Sequence, residues 1–191
     1  MIETLFETRW LGVYRIGHWD FVRRPNADSS VGILAITPDD EIVLIEQFRI
    51  PVQRDVIEIP AGLVGDEEEH RGEALAETAR RELLEETGYD ARKLEPLIIS
   101  PTSAGMTSEF THLFLATELE KRGSGGGVGA EDIKIHLVPK KDIRTWLGEK
   151  EKAGAIESAV AETIRKGQVR TKDMGGTAST LEMAEAIAAE L

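Results

Sequence analysis

Three glutamates near the middle of the chain have the spacing of a carboxylate cluster on a helix. Glu82, Glu85 and Glu86 stand at positions i, i+3 and i+4 within Arg81–Tyr89, which places their side chains on one helical face. Like charges this close repel one another, and a divalent cation would turn the repulsion into attraction. Oxygen ligands without cysteine or histidine favour Mg²⁺ or Mn²⁺ over zinc. Arg81 could hold one glutamate through a bidentate pair.

The residues before this cluster predict the helix that carries it. Leu75, Ala79 and Leu83 recur every four residues, which is typical of a helix that buries one apolar stripe. Gly88 follows at the position of a C-terminal cap, so the predicted helix covers 73–87.

A backbone turn upstream could add a further oxygen ligand. Pro60 precedes a predicted turn over 61–63, and Gly62 in this turn lets a backbone carbonyl approach a cation closely. A solvated acidic helix face is the competing interpretation of the three glutamates, because such faces are common.

Short apolar or alternating runs on both sides of the helix predict β-strands. They cover 9–16, 31–37, 41–50, 56–59, 97–100, 112–117 and 132–138. A glycine-rich segment, 123–129, predicts a flexible loop. Beyond Pro139 the pattern is helical, and Ser179 with Glu182 predicts a capping box before the last helix. The runs 31–37 and 41–50, separated by Pro38-Asp39-Asp40, predict a β-hairpin. Hairpins mixed with helices indicate a mixed α/β sandwich.

Composition narrows the classes of function. The 191 residues include 23 Lys+Arg and 35 Asp+Glu, a net charge of −12, which disfavours general nucleic-acid binding. The chain has no cysteine, which excludes thiol catalysis and Cys-ligated metals and agrees with a cytoplasmic location. We expect no secretory signal in residues 1–9 and no membrane span, since no apolar run approaches roughly 20 residues.

The helix motif resembles the signature of the Nudix hydrolases. That signature is a glycine, five residues, a glutamate, seven residues, then Arg-Glu-apolar-x-Glu-Glu-x-Gly-apolar. Glu73 precedes Arg81 by the expected spacing, and Arg81–Tyr89 matches each fixed position. Ten residues instead of five separate Gly62 from Glu73, which indicates a loop insertion within 65–72. The resemblance extends over residues 10–155.

Within that family the chain most resembles the ADP-ribose and nucleoside-diphosphate-sugar pyrophosphatases. Three segments carry this resemblance: 46–49 together with 58–63, the loop 103–109, and 131–133.

The resemblance implies roles for individual residues. It implies a site for Mg²⁺, with Mn²⁺ as the alternative ion, formed by the Ala61 carbonyl, Glu82, Glu86 and Glu131 and assisted by Glu85. The substrate-binding candidates are Arg49, Arg54, Glu58 and an aromatic residue, with Trp10, Phe6 and Trp19 as alternatives for the aromatic. The catalytic candidates are Arg81, Glu85, Glu109 and Glu131.

Two positions depart from relatives of this kind. Some relatives carry a general-base glutamate two residues before the position of Glu131, where this chain has Gly129. Glu131, Glu85 and Glu109 are therefore alternative bases. Relatives specific for ADP-ribose usually carry a proline near the position of Ala104, so the identity of the sugar stays open.

The resemblance also implies an overall organisation. We expect an α/β/α sandwich with a mixed sheet, divided into N-terminal antiparallel strands (1–30), a Nudix domain (31–155) and a C-terminal helical extension (156–191). The expected function is Mg²⁺-dependent hydrolysis of ADP-ribose or a related nucleotide sugar by a cytoplasmic homodimer that exchanges its N-terminal strands. The alternatives are a nucleotide-binding or regulatory module of the same fold and a structural interaction domain with a solvated acidic helix.

The last segment carries a second, shorter resemblance. Residues 167–180 look like the C-terminal end of isocitrate and isopropylmalate dehydrogenases. The segment has none of that family's metal or hydroxy-acid motif, so we infer no dehydrogenase activity from it.

Overall fold

A computed structural model of the chain describes residues 1–27, 29–66, 68–129, 131–148 and 150–190. The chain forms two compact units, Met1–Lys140 and Lys141–Leu191. The boundaries predicted from the resemblance, at 30 and 155, stay predictions. None of the described helices is both long and apolar enough to cross a membrane.

The first unit is built from two sheets and one long helix. Its strands are β1 (Ile2–Glu7), β2 (Gly12–Ile16), β3 (Trp19–Arg23), β4 (Ser29–Ile36), β5 (Glu41–Arg49), β6 (Arg54–Glu58), β7 (Ala61–Val64), β8 (Tyr89–Pro101), β9 (Phe110–Lys121) and β10 (Lys134–Pro139), and its helix is α1 (Leu75–Thr87).

The larger sheet is mixed, as expected for an α/β fold. Its main order is β10-β5-β4-β9-β8, with β6 added to β5 and β7 added to β4. The β4–β9 pair is parallel, and the other pairs in this sheet are antiparallel. The predicted hairpin is confirmed, because Ile36 of β4 pairs with Ile42 of β5.

The core lies between this sheet and α1. Val31, Ile33 and Val43 are fully buried, and Ala79 and Leu83 of the helix join the same apolar cluster. The predicted helical stripe is therefore the face that packs on the sheet. Gly88 ends the helix with a left-handed backbone, φ 71°, and its N–H donates to the Leu84 carbonyl.

Several segments differ from the elements predicted from sequence. The strands β1 and β3 were not predicted from the apolar pattern, and the predicted strand 9–16 begins only at Gly12. The predicted turn over 61–63 was wrong: these residues lie in β7, which pairs antiparallel with β4. The predicted strand 97–100 is only the end of β8. The first half of β8 contains several exposed charged residues, so it has no apolar pattern from which a strand could be predicted. Such residues are tolerated because β8 is an edge strand, with one side facing water.

The smaller sheet holds the N-terminal residues in the order β1-β2-β3. Tyr14 is its buried centre: the hydroxyl donates to Glu7, and the guanidinium of Arg23 lies 4.2 Å from the ring centroid. The sheet is attached to the loop after β8, where the Trp19 Nε1–H donates to the Gly105 carbonyl at 3.2 Å.

The second unit is helical. It contains α2 (Ile143–Trp146), α3 (Lys150–Lys166) and α4 (Thr180–Ala188). The predicted capping box is confirmed, because the Ser179 hydroxyl accepts from the Glu182 N–H and the Glu182 carboxylate accepts from the Ser179 N–H. Lys166 of α3 pairs with Glu190 after α4 at 2.6 Å.

Adjacent leucines of α1 provide a test of which face is buried. Leu83 is 0% exposed and Leu84 is 39% exposed. We expect Leu83→Ala to lower the free energy of unfolding by about 3 kcal/mol, because it leaves a cavity in the core. Leu84→Ala, the matched control, should cost less than about 1 kcal/mol. Urea denaturation measures both, and equal losses would contradict the orientation of the helix.

Candidate active site

A cleft of about 550 Å³ lies at the junction of β5, β6, β7 and α1. Its walls carry many charged side chains. The acidic ones are Glu58, Asp66, Glu82, Glu86, Glu109 and Glu131, and the basic ones are Arg24 and Arg49. The cleft therefore combines a carboxylate cluster, suited to cations, with two guanidinium groups, suited to anions.

Glu86 is the most deeply placed of the cleft carboxylates on α1. It is 5% exposed, and its Oε2 accepts a hydrogen bond from the Ala61 N–H at 3.0 Å. Burial raises the pKa of Glu86 to about 8. The nearby negative charges of Glu82 and Glu131 also raise this pKa, and the hydrogen bond from the Ala61 N–H lowers it. The Glu86 carboxylate is therefore hydrogen-bonded to β7, and the positive charge near it does not fully offset its negative charge.

Glu82 lies one turn earlier and packs against the backbone of β7. A Cβ placed on Gly62 would lie 2.0 Å from Glu82 Cδ, so the carboxylate occupies the space that any other residue would fill. Burial raises the pKa of Glu82 to about 7, Arg81 opposes the shift, and Glu85 and Asp66 reinforce it.

Arg81 connects the glutamates of the helix. Its guanidinium lies 3.0 Å from Glu82 Oε1, 3.0 Å from Glu85 Oε2 and 3.4 Å from Glu73 Oε2. The Thr78 hydroxyl also donates to Glu73 at 2.9 Å. Arg81 thus bridges three carboxylates, where the sequence suggested a pair with one.

A second cavity of about 590 Å³ lies on the other side of Glu82. Glu82, Glu131 and Asp66 line both cavities, whereas Glu85 lines only this second one. The segment 65–72, identified as an insertion, contributes a short 3-10 helix, Glu68–His70, whose residues form part of the wall. Glu86 therefore lines the first cavity, Glu85 the second, and Glu82 both.

Two ion pairs form the remaining charged wall of the cleft. Arg49 and Glu58 face each other across β5 and β6 at 2.8 Å. Arg24 pairs with Glu109 at 3.0 Å, which joins the N-terminal segment to the loop before β9. Sequence reasoning singled out Arg49, Glu58 and Glu109 but missed Arg24, because no local pattern distinguishes it from other surface arginines.

Two predicted substrate-binding residues lie outside the cleft. Arg54 is exposed at the start of β6, and Trp10 is 55% exposed, with the Arg9 guanidinium 4.5 Å from its ring centroid. Trp19 and Phe21 line a separate apolar cavity of about 450 Å³ beside the N-terminal sheet. Among the residues that the structure describes, none of those lining the charged cleft is aromatic.

The donor set fits a hard divalent cation by its chemistry. The side chains around Glu82 and Glu86 offer carboxylate oxygens, and the same wall of the cleft contains Ala61. Two buried carboxylates with raised pKa values are what a bound cation would compensate. Among the residues that the structure describes, no three acidic, histidine or cysteine side chains are grouped so that they could hold a metal ion by themselves.

Comparison with known proteins gives consistent findings. The NUDIX domain model matches residues 27–158. The chain is 40% identical over 119 residues to the methanol dehydrogenase activator of Bacillus methanolicus, covering 62% of this chain and 60% of that protein. It is 43% identical over 100 residues to the ADP-ribose pyrophosphatase of Bacillus subtilis, covering 52% and 50%.

A further relative and a solved structure agree with these matches. The ADP-ribose pyrophosphatase of Escherichia coli K12 is 30% identical over 131 residues, covering 64% of this chain and 58% of the relative. The matched regions thus span about half to three fifths of the length of these curated relatives. A crystal structure of an ADP compounds hydrolase superposes with a TM-score of 0.62 at 22% identity, covering 78% and 80% of the chains, which shows a shared fold.

Adjacent arginines test whether Arg81 holds the acidic cluster. We expect Arg81→Ala to lower the free energy of unfolding by about 2 kcal/mol, because three glutamates lose their shared cation. Arg80→Ala is the control: it removes a pair with Asp90 that is largely exposed and should cost less than about 1 kcal/mol. Thermal and urea unfolding in chelator measure both, and a harmless Arg81→Ala would contradict the bridging role.

Proposed function

Because the chain belongs to the NUDIX family, we propose that it hydrolyses the pyrophosphate bond of ADP-ribose or a related nucleoside diphosphate sugar. The products would be a nucleoside monophosphate and a sugar phosphate. The names of two relatives, both ADP-ribose pyrophosphatases, support this class of substrate.

The observation that carries the proposal is a pair of carboxylates, the buried Glu86 and the partly buried Glu82, inside a cleft that also contains two arginines. Burying both charges is unfavourable, as their raised pKa values indicate. A fold that keeps them there, with Arg81 holding the helix cluster, is organised for a cationic ligand.

The proposed cofactor is Mg²⁺, with Mn²⁺ as the alternative, since Nudix hydrolases generally use divalent metals. The Ala61 carbonyl, Glu82, Glu86 and Glu131 would hold it, with Glu85 assisting from the second cavity. When bound, the metal neutralises pyrophosphate charge and makes a water more acidic.

The arginines of the cleft are suited to the anionic part of the substrate. Arg49 is oriented by Glu58, and we propose that its guanidinium contacts the pyrophosphate. Arg24 faces the same cleft and pairs with Glu109, so it could supply a second positive charge. These groups bind and orient the substrate, and they offset the repulsion expected from a protein with a net charge of −12.

Three glutamates are alternatives for the base that takes a proton from the attacking water. The carboxylates of Glu85 and Glu109 are already engaged in ion pairs, with Arg81 and with Arg24. Glu131 is exposed, faces both cavities and accepts a hydrogen bond from the Val128 N–H at 2.9 Å. We therefore favour Glu131 as the base. In that role its carboxylate would not ligate the metal, which leaves the Ala61 carbonyl, Glu82 and Glu86 as the proposed ligands.

A homodimer would account for residues that lie outside the cleft. Exposed apolar side chains of the N-terminal segment include Phe6, Trp10 and Trp19, and we propose that they contact a second copy. In such a dimer, Trp10 and Arg54 would act on substrate bound to the other subunit. The cytoplasmic location likewise stays a proposal, supported by the absence of cysteine.

A regulatory module is the second candidate function. The similarity to the methanol dehydrogenase activator of Bacillus methanolicus favours this alternative. Incubation with ADP-ribose, GDP-mannose, ADP-glucose and NADH, with and without Mg²⁺, separates the two. AMP released from ADP-ribose only with Mg²⁺ supports hydrolysis, whereas tight binding without products supports the module.

Single carboxylate substitutions test the assignment of Glu82 and Glu86. We expect Glu86→Gln and Glu82→Gln each to lower kcat/KM by about 100-fold or more, because each removes a charge that would hold the cation. Glu77→Gln, an exposed residue on the same helix, should leave kcat/KM unchanged. Chromatographic measurement of AMP gives the rates, and full activity of Glu86→Gln would overturn the metal assignment.

A substitution that leaves every carboxylate in place tests the same site by geometry. In Gly62→Ala the new Cβ would displace the flexible Glu82 side chain and not the backbone, so we expect near-normal stability. We expect kcat/KM to fall about tenfold or more and the Mg²⁺-dependent rise in Tm to shrink. Gly105→Ala, where a Cβ meets open space, is the control. Equal behaviour of the two variants would contradict the placement of Glu82.

A further inference from the structure

The glycine-rich segment before Glu131 is attached to the end of the catalytic helix. The N–H of Gly126 donates to the Glu86 carbonyl at 2.9 Å, and the N–H of Gly127 donates to the Glu85 carbonyl at 3.1 Å. Both acceptors lie in the last turn of α1, where helix carbonyls have no partner within the helix. The glycine-rich segment therefore supplies hydrogen-bond donors to carbonyls at the end of α1, whereas the sequence alone predicted a flexible loop.

The same segment holds the side chain of Glu131. The Glu131 carboxylate accepts from the Val128 N–H at 2.9 Å, and the Glu131 N–H donates to the Val128 carbonyl at 3.2 Å. Beyond it, the Ile133 N–H donates to the Gly126 carbonyl at 3.3 Å, and the Ile133 side chain is buried. Glu131 is thus held by its hydrogen bonds to Val128, and the chain just after it is held by the buried Ile133.

Gly127 is the point where a side chain would disturb this arrangement. A Cβ there would lie 2.6 Å from Glu131 Cβ and 2.6 Å from Glu131 Oε2, and the backbone is left-handed, φ 86°. Gly129, two residues later, is also left-handed, φ 64°, but a Cβ there meets nothing within 4 Å. The two glycines share a backbone requirement and differ in their contact with Glu131.

We propose that Gly127 is a positioning residue for hydrolysis: with Gly126 it ties the loop to the carbonyls of Glu85 and Glu86 and so sets the position of the Glu131 carboxylate relative to the helix glutamates. The inference rests on the proposed function and adds to it a determinant of the reaction rate. In this arrangement the glycine-rich segment holds Glu131 in position before substrate binds.

Paired alanine variants test the inference through the kinetics of ADP-ribose hydrolysis at saturating Mg²⁺. We expect Gly127→Ala to lower kcat about tenfold or more while KM changes less than about twofold, because the Glu131 carboxylate is displaced from its position relative to the helix glutamates. Gly129→Ala pays a similar backbone cost and should keep kcat within about twofold of the wild type. Equal losses in both variants would overturn the proposal.

A double-mutant cycle separates positioning from a general structural effect. If Gly127 acts through Glu131, Gly127→Ala should cause little further loss of kcat in a Glu131→Gln background. The same fold-loss in both backgrounds would show that Gly127 acts independently of Glu131, which overturns the proposal. Circular dichroism of each variant verifies that the fold is retained.

Amide hydrogen exchange of the wild-type protein tests the attachment without relying on activity. We expect the Gly126 and Gly127 amides to be protected at least about 100-fold relative to an unstructured peptide, because both are hydrogen-bonded to α1. Exchange at the rate of a free loop would overturn the proposal. If no nucleotide sugar is hydrolysed but these amides are protected in the wild type and lose protection in Gly127→Ala, the proposed function fails while the attachment stands.

Discussion

The site depends on three carboxylates that lie where the fold makes their negative charge energetically unfavourable. Glu82, Glu85 and Glu86 lie in the last two turns of α1, and the C-terminal end of a helix disfavours anions because its carbonyl dipoles point outward there. Burial adds to this cost and accounts for the raised pKa values of Glu82 and Glu86. Positive partners offset part of it: Arg81 bridges the carboxylates, and the Lys121 ammonium donates to the Thr87 carbonyl at 2.6 Å.

The apolar stripe of the same helix supplies the stability that this charge removes. Ala79 and Leu83 are fully buried against the sheet, in one cluster with Val31, Ile33 and Phe114. A helix anchored by its apolar stripe can hold carboxylates that would otherwise repel one another into water. The packing of the apolar stripe and the placement of the carboxylates are therefore parts of a single arrangement, since both are fixed by the orientation of α1.

Two irregular segments complete the surroundings of the helix glutamates. The inserted residues form a short helical turn beside the second cavity, and the glycine-rich segment closes the same cavity from the other end of α1. Neither segment has an apolar pattern that would fix its path. Hydrogen bonds to carbonyls of the helix end determine the path of the glycine-rich segment, which places Glu131 within reach of both cavities.

The amino-acid sequence by itself determined the helix, its buried stripe, the hairpin of β4 and β5, and the cluster of Glu82, Glu85 and Glu86, because periodicity and spacing along one element are local properties. It did not reveal β7 or the first half of β8, whose strands exist through pairing with neighbours and not through their own composition. Only the tertiary structure brought Arg24 to Glu109, set Gly62 against Glu82 and divided the glutamates between two cavities. The residues in these contacts are far apart in the sequence. Their distances are therefore set by how the chain packs and not by a local sequence pattern.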